Sequence, residues 1–143
     1  SRVARSGLQA FCTLGARVTL IAPPTLLPLD MTGWPVEVAH DFDDVLADLD
    51  VVYLLRIQQE RGGATGFTSL PEYVRRFGLD DARFARLRPE AVVMHPGPMN
   101  RGVEISPHVA DSSRTLILDQ VRNGVAARMA VLFRLLASPG EGT

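Results

Sequence analysis

The sequence predicts an α/β fold in which a doubly wound, mostly parallel sheet carries helices on both faces. Two short apolar runs, 51–55 and 91–94, lack alternation and lead directly into polar residues. Such runs are typical of strands that are covered on both faces, as in parallel sheets. Helical and strand patterns also alternate along the chain, which favours this class over a sandwich or a bundle. Ligands of open parallel sheets bind beyond the carboxyl ends of the strands, so the residues after both runs are site candidates.

Composition limits the alternatives. The chain has 143 residues, of which 46% are apolar and 22% charged, and this suits one domain over 1–143 with its own core. The net charge is −1 and the sequence has no basic cluster, so the charge pattern does not indicate a nucleic-acid-binding protein. No segment approaches the ~18 apolar residues of a membrane span, so we expect a soluble protein. The single cysteine, Cys12, fits a reducing cytoplasm, and its apolar neighbours predict a buried structural thiol.

The first half of the chain alternates regularly between helix and strand. In order, we predict a helix over 2–14, strands over 17–22 and 36–39, a helix over 42–49 and a strand over 51–55. Gly15 closes the first helix, because glycine is favoured just after a helix end. Prolines end the first strand, since each lacks a backbone donor. Asp41 is the expected N-cap of the helix over 42–49.

The second half predicts short helices over 70–77 and 80–87, strands over 91–94 and 115–118, and a long C-terminal helix. Asp80 is the expected N-cap of the second short helix. Three glycines between 61 and 66 predict a mobile loop that acts as a lid. The last helix carries an apolar stripe that is either core or a docking face, formed by Val121, Val125, Met129, Leu132, Phe133 and Leu136.

The first polar cluster follows the strand over 51–55 and consists of Arg56, Gln58, Glu60 and Arg61. An arginine at the end of a buried strand needs an anion, because an unpaired buried charge is costly. Two interpretations remain open: Glu60 neutralises Arg56 internally, or it orients Arg56 toward an external carboxylate. The amide of Gln58 is able to bind an amine and a carboxylate together. Arg61 is interpreted as structural.

The second polar cluster is the segment His95-Pro-Gly-Pro98. Two prolines around a glycine fix the backbone and leave carbonyls without ladder partners. Such carbonyls are able to accept hydrogen bonds from a ligand amine. The alternative is a rigid turn with a solvated histidine.

Three motifs together resemble the aspartate carbamoyltransferase family over nearly the whole chain. They are Leu55-Arg-Ile-Gln-Gln-Glu-Arg61, Met94-His-Pro-Gly-Pro-Met-Asn-Arg-Gly-Val-Glu-Ile105 and Gln120-Val-Arg-Asn-Gly-Val-Ala-Ala-Arg-Met-Ala-Val131. The opening Ser-Arg-Val-Ala-Arg-Ser and Ala22-Pro-Pro-Thr-Leu-Leu-Pro28 are similar as well. The related ornithine carbamoyltransferases carry a cysteine after the equivalent histidine, where this chain has Pro96. The aspartate branch is therefore favoured.

The resemblance implies transfer of a carbamoyl group from carbamoyl phosphate to the α-amino group of L-aspartate, in pyrimidine synthesis, without a cofactor or metal. Arg2 would bind the α-carboxylate, Arg56 the β-carboxylate, and Gln58 both a carboxylate and the amine. Glu60 would orient Arg56. The remaining implied roles are acceptor carbonyls at Pro96 and Gly97, a cis bond at Gly97-Pro98, and support from Arg61, His95 and Pro98. None of these residues acts beyond positioning the substrates.

The family's Ser-Thr-Arg-Thr-Arg and His-Pro-Thr-Gln segments, which bind carbamoyl phosphate, do not occur in this sequence. We therefore expect a C-terminal aspartate-binding domain that lacks its first strand and is inactive without an N-terminal carbamoyl-phosphate domain. The resemblance implies a homotrimer, with regulatory or dihydroorotase chains as further partners. Two alternatives remain open: a non-catalytic scaffold subunit of the same fold, and a small nucleotide-binding module, although no glycine-rich phosphate motif is present.

Overall fold

The structure is a computed structural model that describes residues 2–57 and 69–137. The helices are α1 Arg2–Thr13, α2 Leu70–Phe77, α3 Asp81–Arg86, α4 Pro107–Ala110 and α5 Ile117–Ala137. The strands are β1 Thr19–Ile21, β2 Glu37–Ala39, β3 Val51–Tyr53 and β4 Val92–Met94. Short 3₁₀ turns lie at Pro24–Leu26 and Leu46–Asp48. This alternation of helices and strands confirms the predicted α/β class.

All strand pairs in the described residues are parallel. β1 pairs with β2 so that Leu20 faces Val38, and β3 pairs with β4 so that Val52 faces Val93. Thr115 adds a single parallel bridge to β4. Within residues 2–57 and 69–137 the strands form two separate pairs, because no ladder hydrogen bonds join one pair to the other. Each strand is shorter than predicted by one to three residues.

The hydrophobic core surrounds β3 and β4. Val93 at the centre of β4 is completely buried, and Val52 beside it is nearly so. The core cluster consists of Phe42, Leu46, Val52, Leu54, Leu79, Leu87, Ala91, Val93, Ile105, Val109 and Ile117. Burying one such side chain contributes about 1.5–3 kcal/mol. The β3–β4 pair is therefore the firmly packed part of the molecule.

Helix ends follow the sequence signals. Gly15 ends α1 with φ +85°, in the left-handed region where glycine is favoured. The Asp80 carboxylate accepts a hydrogen bond from the backbone N–H of Arg83 at 2.8 Å and caps α3 as predicted. Ser69 caps α2 in the same way, by accepting from the N–H of Glu72 at 3.3 Å.

The predicted helix over 42–49 is wrong. The segment forms turns and the 3₁₀ turn at Leu46–Asp48 instead. The Asp41 carboxylate accepts a hydrogen bond from the N–H of Asp43, two residues on, at 2.8 Å. A local bond of this kind offers the backbone an alternative to the helix, so the capping residue starts a turn here.

The predicted strand over 115–118 is also wrong. Only Thr115 bridges to Val93, the N–H of Leu116 donates to the Val93 carbonyl at 2.8 Å, and α5 begins at Ile117. Asp119 in the first turn of α5 favours the helix through its charge. The short helix α4 was not predicted, although Ser106-Pro107 is a helix-start signal, with the serine as N-cap.

Cys12 is half-buried, so the prediction of a buried thiol is wrong. Cys12 lies one turn after Leu8 on the same face of α1, near the end of the helix where Leu14 is already largely exposed. The thiol donates to the Pro35 carbonyl at 3.4 Å. Cys12 thus links α1 to the segment before β2.

The helices were compared with the length and apolar character of a membrane-spanning helix. In the described part of the chain, none combines the length and the apolar character needed to cross a membrane. The longest, α5, has 21 residues and carries Asp119 in its first turn and Arg134 in its last.

A buried arginine fastens α3 to the segment before β3. Arg83 is only 7% exposed, and its Nη2 donates to Asp43 Oδ2 at 2.8 Å. Its Nη1 donates to the Gly78 carbonyl at 2.7 Å, and its guanidinium lies 5.6 Å from the centre of the Phe42 ring. The hydrogen bond from Arg83 is the main reason why the pKa of Asp43 lies below its usual value.

Replacement of Asp43 by alanine should destabilise the protein, because it leaves the buried guanidinium of Arg83 without its carboxylate. We expect a loss of about 1–3 kcal/mol, below the range for fully buried pairs because Asp43 is partly exposed. Asp50→Ala is the matched control: its carboxylate pairs with Arg88 at 2.8 Å, but its side chain is 78% exposed. That control should cost less than about 1 kcal/mol. Equal falls in melting temperature would contradict a special role for Asp43.

Candidate functional site

Arg56 and the proline turn after β4 lie at one edge of the β3–β4 pair. Tyr53 faces Met94 at the ends of the parallel strands, and the N–H of Leu54 donates to the Met94 carbonyl at 2.9 Å. The chain then continues to Arg56 after β3 and to Pro96 after β4. Of the first cluster, only Arg56 lies within the described residues, and it follows the same edge of the strand pair as the segment His95-Pro-Gly-Pro98.

Arg56 is half-buried, with a buried Nε, just beyond β3. Gln58, Glu60 and Arg61 lie outside the described residues, as does the glycine-rich segment predicted to act as a lid. The choice between Glu60 and an external carboxylate as the partner of Arg56 stays a prediction.

The turn after β4 is organised around a buried histidine. His95 has no exposed surface, so the alternative of a solvated histidine is wrong. Its Nδ1 accepts a hydrogen bond from the N–H of Gly97 at 2.9 Å. Gly97 has φ +65°, and the Gly97-Pro98 peptide is cis, as the resemblance implies. Pro96 and Gly97 are half-buried and Pro98 is exposed, so the turn lies at the surface while its histidine is held inside.

The partner of His95 is Glu104, which is 1% exposed. Glu104 Oε1 accepts from the backbone N–H of Asn100 at 2.6 Å and lies 3.3 Å from His95 Nε2. Because His95 Nδ1 already accepts from Gly97, the ring proton lies on Nε2 and faces Glu104. The Nε2 to Oε1 contact is too bent for a full hydrogen bond but close enough for electrostatic attraction.

The buried carboxylate affects its surroundings. Burial raises the pKa of Glu104, but the N–H groups of His95 and Asn100 outweigh it, so the pKa lies below its usual value. Burial, together with the negative charge of Glu104, raises the pKa of Tyr73 to about 12. At neutral pH this part of the site therefore contains a carboxylate and an un-ionised phenol.

Asn100 joins the two clusters. Its side-chain Nδ2 donates to the Ile57 carbonyl at 3.1 Å, directly after Arg56. Its backbone N–H is the group held by Glu104. The proline turn and the end of β3 are thus connected by one short chain of hydrogen bonds.

The first turns of α5 lie behind the site. A Cβ added at Gly97 would lie 3.5 Å from Val121 Cγ2, so the turn packs directly on this helix. One residue earlier, Gln120 Nε2 donates to the Tyr53 hydroxyl at 3.2 Å. α5 therefore contacts both strand ends.

Arg2 lies on the first turn of α1 with its side chain exposed. α1 packs against β3, because the Phe11 and Tyr53 rings meet edge to face with centroids 5.6 Å apart. Gly7 also faces the Tyr53 ring, where an added Cβ would lie 3.7 Å from Cε1. The role of Arg2 in substrate binding stays a prediction.

Sequence analysis did not assign roles to Asn100 and Glu104. A signal was present: Glu104 stands between Val103 and Ile105, inside a motif that already carried the resemblance. A charged residue between apolar neighbours next to a polar turn indicates a buried, paired group. No group of three or more His, Cys, Asp or Glu side chains in residues 2–57 and 69–137 is placed to hold a metal ion.

Comparisons with known proteins agree on one relationship. Residues 1–135 match the family model described as aspartate/ornithine carbamoyltransferase, Asp/Orn binding domain. The aspartate carbamoyltransferase catalytic subunit of Parafrankia sp. is 56% identical over 140 residues, which are 98% of this chain and 45% of that protein. The chain therefore spans about 45% of the length of this curated relative.

Solved structures show the same similarity. The ornithine carbamoyltransferase from Pyrococcus furiosus superposes with a TM-score of 0.76 at 26% identity, covering 91% of this chain and 45% of that one. The aspartate transcarbamoylase from Trypanosoma cruzi in complex with carbamoyl phosphate and aspartate gives a TM-score of 0.66 at 29% identity, covering 81% and 40%. Both matches cover less than half of the longer chain.

Gly97→Ala should destabilise the turn, because alanine in the left-handed region costs about 1–2 kcal/mol. The added methyl would make only an ordinary contact with Val121, so the cost comes from the backbone. Gly7→Ala is the matched control within α1, where alanine should stabilise by about 0.5–1 kcal/mol. Melting temperatures should shift in opposite directions. A shift of the same sign for both variants would contradict the assigned backbone strain.

Glu104 should contribute to the acid sensitivity of folding. Its folded-state pKa lies below the unfolded value, so its contribution is complete above the unfolded pKa and is lost as pH falls through the folded one. The melting temperature of Glu104→Gln should therefore fall less steeply than that of the unsubstituted protein between about pH 5 and pH 3. Glu90→Gln, at an exposed position, is the matched control and should keep the original slope. Identical slopes for all three proteins would contradict the prediction.

Proposed function

Because the chain belongs to the aspartate/ornithine carbamoyltransferase family, as its Asp/Orn-binding domain, we propose that it supplies the amino-acid-binding half of an aspartate carbamoyltransferase. The complete protein would transfer a carbamoyl group from carbamoyl phosphate to L-aspartate in pyrimidine synthesis. The neutral α-amino nitrogen forms a bond to the carbamoyl carbon and loses one proton. The bond from that carbon to the phosphate oxygen breaks, and phosphate leaves with the electron pair of that bond and takes up the proton.

One observation carries this proposal: a half-buried arginine and a proline turn lie at the same edge of two parallel strands. A guanidinium binds a carboxylate through two parallel hydrogen bonds. Backbone carbonyls accept from an amine. An amino acid with a second carboxylate contains both complementary groups, so the edge suits aspartate.

We assign Arg56 to the β-carboxylate and Arg2 to the α-carboxylate. Gln58 then contacts a carboxylate and the amine, and the carbonyls of Pro96 and Gly97 accept from the amine or the carbamoyl amide. Glu60 orients Arg56, while Arg61, His95 and Pro98 support the site. Fixing both ends of the substrate brings the amine to near-attack distance, which lowers the barrier without any proton-transfer residue in this domain.

Aspartate is favoured over ornithine on electrostatic grounds. The side chain of ornithine ends in an ammonium group, which Arg56 would repel, whereas aspartate ends in a carboxylate. The position after His95 is Pro96, where ornithine enzymes carry cysteine. The Parafrankia relative, at 56% identity, is named as an aspartate enzyme, while the Pyrococcus ornithine enzyme is 26% identical.

We propose that the carbamoyl-phosphate domain of the complete protein covers the outer face of α5. Beyond its first turns α5 exposes large apolar side chains, with Phe133 72% and Leu136 81% exposed. Such a face is typical of an interaction surface. The stripe residues of α5 are exposed and lie outside the core cluster, which supports the docking alternative. The chain spans 45% of the Parafrankia relative, which leaves a partner domain of sufficient size.

Assembly and location complete the proposal. We assign a homotrimer, with regulatory or dihydroorotase chains as further partners, on the family resemblance. We assign the cytoplasm because the free thiol of Cys12 suits a reducing compartment.

The direct experiment measures carbamoyl transfer by the complete protein, with aspartate and ornithine as alternative acceptors. We expect carbamoyl aspartate as the product, and no turnover from the 143-residue chain alone. Transfer to ornithine in preference to aspartate would overturn the substrate assignment. No transfer by the complete protein, with intact assembly, would favour the scaffold alternative.

Arg56→Lys tests the central assignment in the complete protein. Lysine keeps the charge but loses the planar fork. We expect a folded variant that loses on the order of 2–5 kcal/mol of transition-state stabilisation, the range for disrupting a buried charge pair. That is a fall in kcat/KM for aspartate of about thirtyfold or more.

Arg88→Lys is the matched control for this substitution, because Arg88 pairs with the exposed Asp50 away from the site. It should leave kcat/KM for aspartate unchanged. A large drop in the melting temperature of Arg56→Lys with near-normal kinetics would make Arg56 structural and contradict the assignment.

A further inference from the structure

We infer that Glu104 is a positioning residue, which holds the proline turn and the end of β3 together in the arrangement that binds the amino acid. The inference rests on the proposed function for its catalytic consequence. Its structural part concerns only hydrogen bonds and one charge contact between described residues.

The burial of the Glu104 carboxylate requires an explanation. Glu104 is 1% exposed and stands between Val103 and Ile105, and burying a charge without compensation costs several kcal/mol. In the described part of the chain, the only basic side chain at ion-pair distance from Glu104 is His95. His95 already accepts from Gly97 at Nδ1, so its ring is neutral and offers a single N–H. Glu104 is therefore not one half of an ordinary ion pair, and ion pairing alone does not explain a buried carboxylate at this position.

The first consequence of Glu104 is the orientation of His95. With the ring proton drawn to Nε2 by Glu104 Oε1, Nδ1 is left as an acceptor and binds the N–H of Gly97 at 2.9 Å. The Pro96-Gly97 peptide is trans, so its carbonyl points opposite to its N–H. Holding the N–H of Gly97 toward His95 therefore directs the Pro96 carbonyl away from the buried ring. This carbonyl is one of the two acceptors assigned to the substrate.

The second consequence concerns Arg56. Glu104 Oε1 also accepts from the backbone N–H of Asn100 at 2.6 Å, which fixes the residue whose side chain donates to the Ile57 carbonyl at 3.1 Å. Ile57 directly follows Arg56, so the backbone at the end of β3 is tied to the proline turn. Glu104 Oε1 thus contacts both halves of the site: the ring of His95, which holds the proline turn, and the backbone N–H of Asn100, which is tied to the end of β3.

This geometry predicts which substitution is tolerated. Both contacts use Oε1, while Oε2 has no hydrogen-bond partner among the described residues. Glutamine keeps an oxygen in the place of Oε1 and changes only the group in the place of Oε2. Alanine removes both contacts: it leaves the buried N–H of Asn100 without its acceptor, which is costly, and it removes the carboxylate that faces Nε2 of His95.

The experiment compares Glu104→Ala, Glu104→Gln and Asp43→Ala in the complete protein. At a temperature where all remain folded, kcat/KM for aspartate should fall about ten- to a hundredfold in Glu104→Ala and stay within about threefold of the original in Glu104→Gln. Asp43→Ala loses a buried contact in the same domain but far along the chain from the turn, and should change melting temperature without changing kcat/KM.

Near-normal kcat/KM in folded Glu104→Ala would overturn the inference. So would an equal loss in Asp43→Ala, because general destabilisation would then explain both. Failure of glutamine to rescue would overturn the assignment to Oε1.

A second measurement does not depend on activity. Hydrogen exchange at the backbone amides of Gly97 and Asn100 should be faster in Glu104→Ala than in Glu104→Gln or Asp43→Ala, because their acceptors are lost or reoriented. Unchanged exchange would overturn the positioning role. If the unsubstituted protein fails to carbamoylate aspartate while exchange responds as expected, the proposed function fails and the structural part of the inference stands.

Discussion

The parallel pairing of β3 with β4 is the constraint on which the rest of the site depends. In a parallel pair both chains leave the sheet in the same direction, so Arg56 and Pro96 emerge side by side although forty positions separate them in the sequence. The register is held by core side chains above and below, with Val93 completely buried. A slip of one residue would turn these side chains to the opposite face.

Buried polar groups have two different roles around the β3–β4 pair. Arg83 donates hydrogen bonds to Asp43 and to backbone carbonyls, and thereby holds peripheral segments against the core. His95 and Glu104 instead hold a loop that carries carbonyls at the surface. In both cases the low dielectric of the interior makes the hydrogen bonds directional and costly to break. The first cluster maintains the fold, and the second maintains a shape at the edge of the fold.

The sequence predicted those features that depend on local signals. The apolar runs predicted β3 and β4, and Asp80 and Gly15 predicted the ends of two helices. The motif after β4 predicted the turn. Competing contacts explain the failures. The Asp41 carboxylate bonded to a nearby N–H instead of capping a helix, and Thr115 found only one strand partner before α5 began. Glu104 was overlooked because its partners, His95 and Asn100, become neighbours only when the turn folds back.

α5 joins two regions that differ sharply in their surroundings. Its first turns touch Tyr53 and Gly97, whereas its later turns, such as that of Phe133, are surrounded by solvent. A helix of 21 residues is roughly 30 Å long. A tilt of 5° about its first turn would thus move its far end by roughly 2.5 Å. The same rotation would displace the residues beside the proline turn by only tenths of an ångström, because they lie within one turn of the pivot.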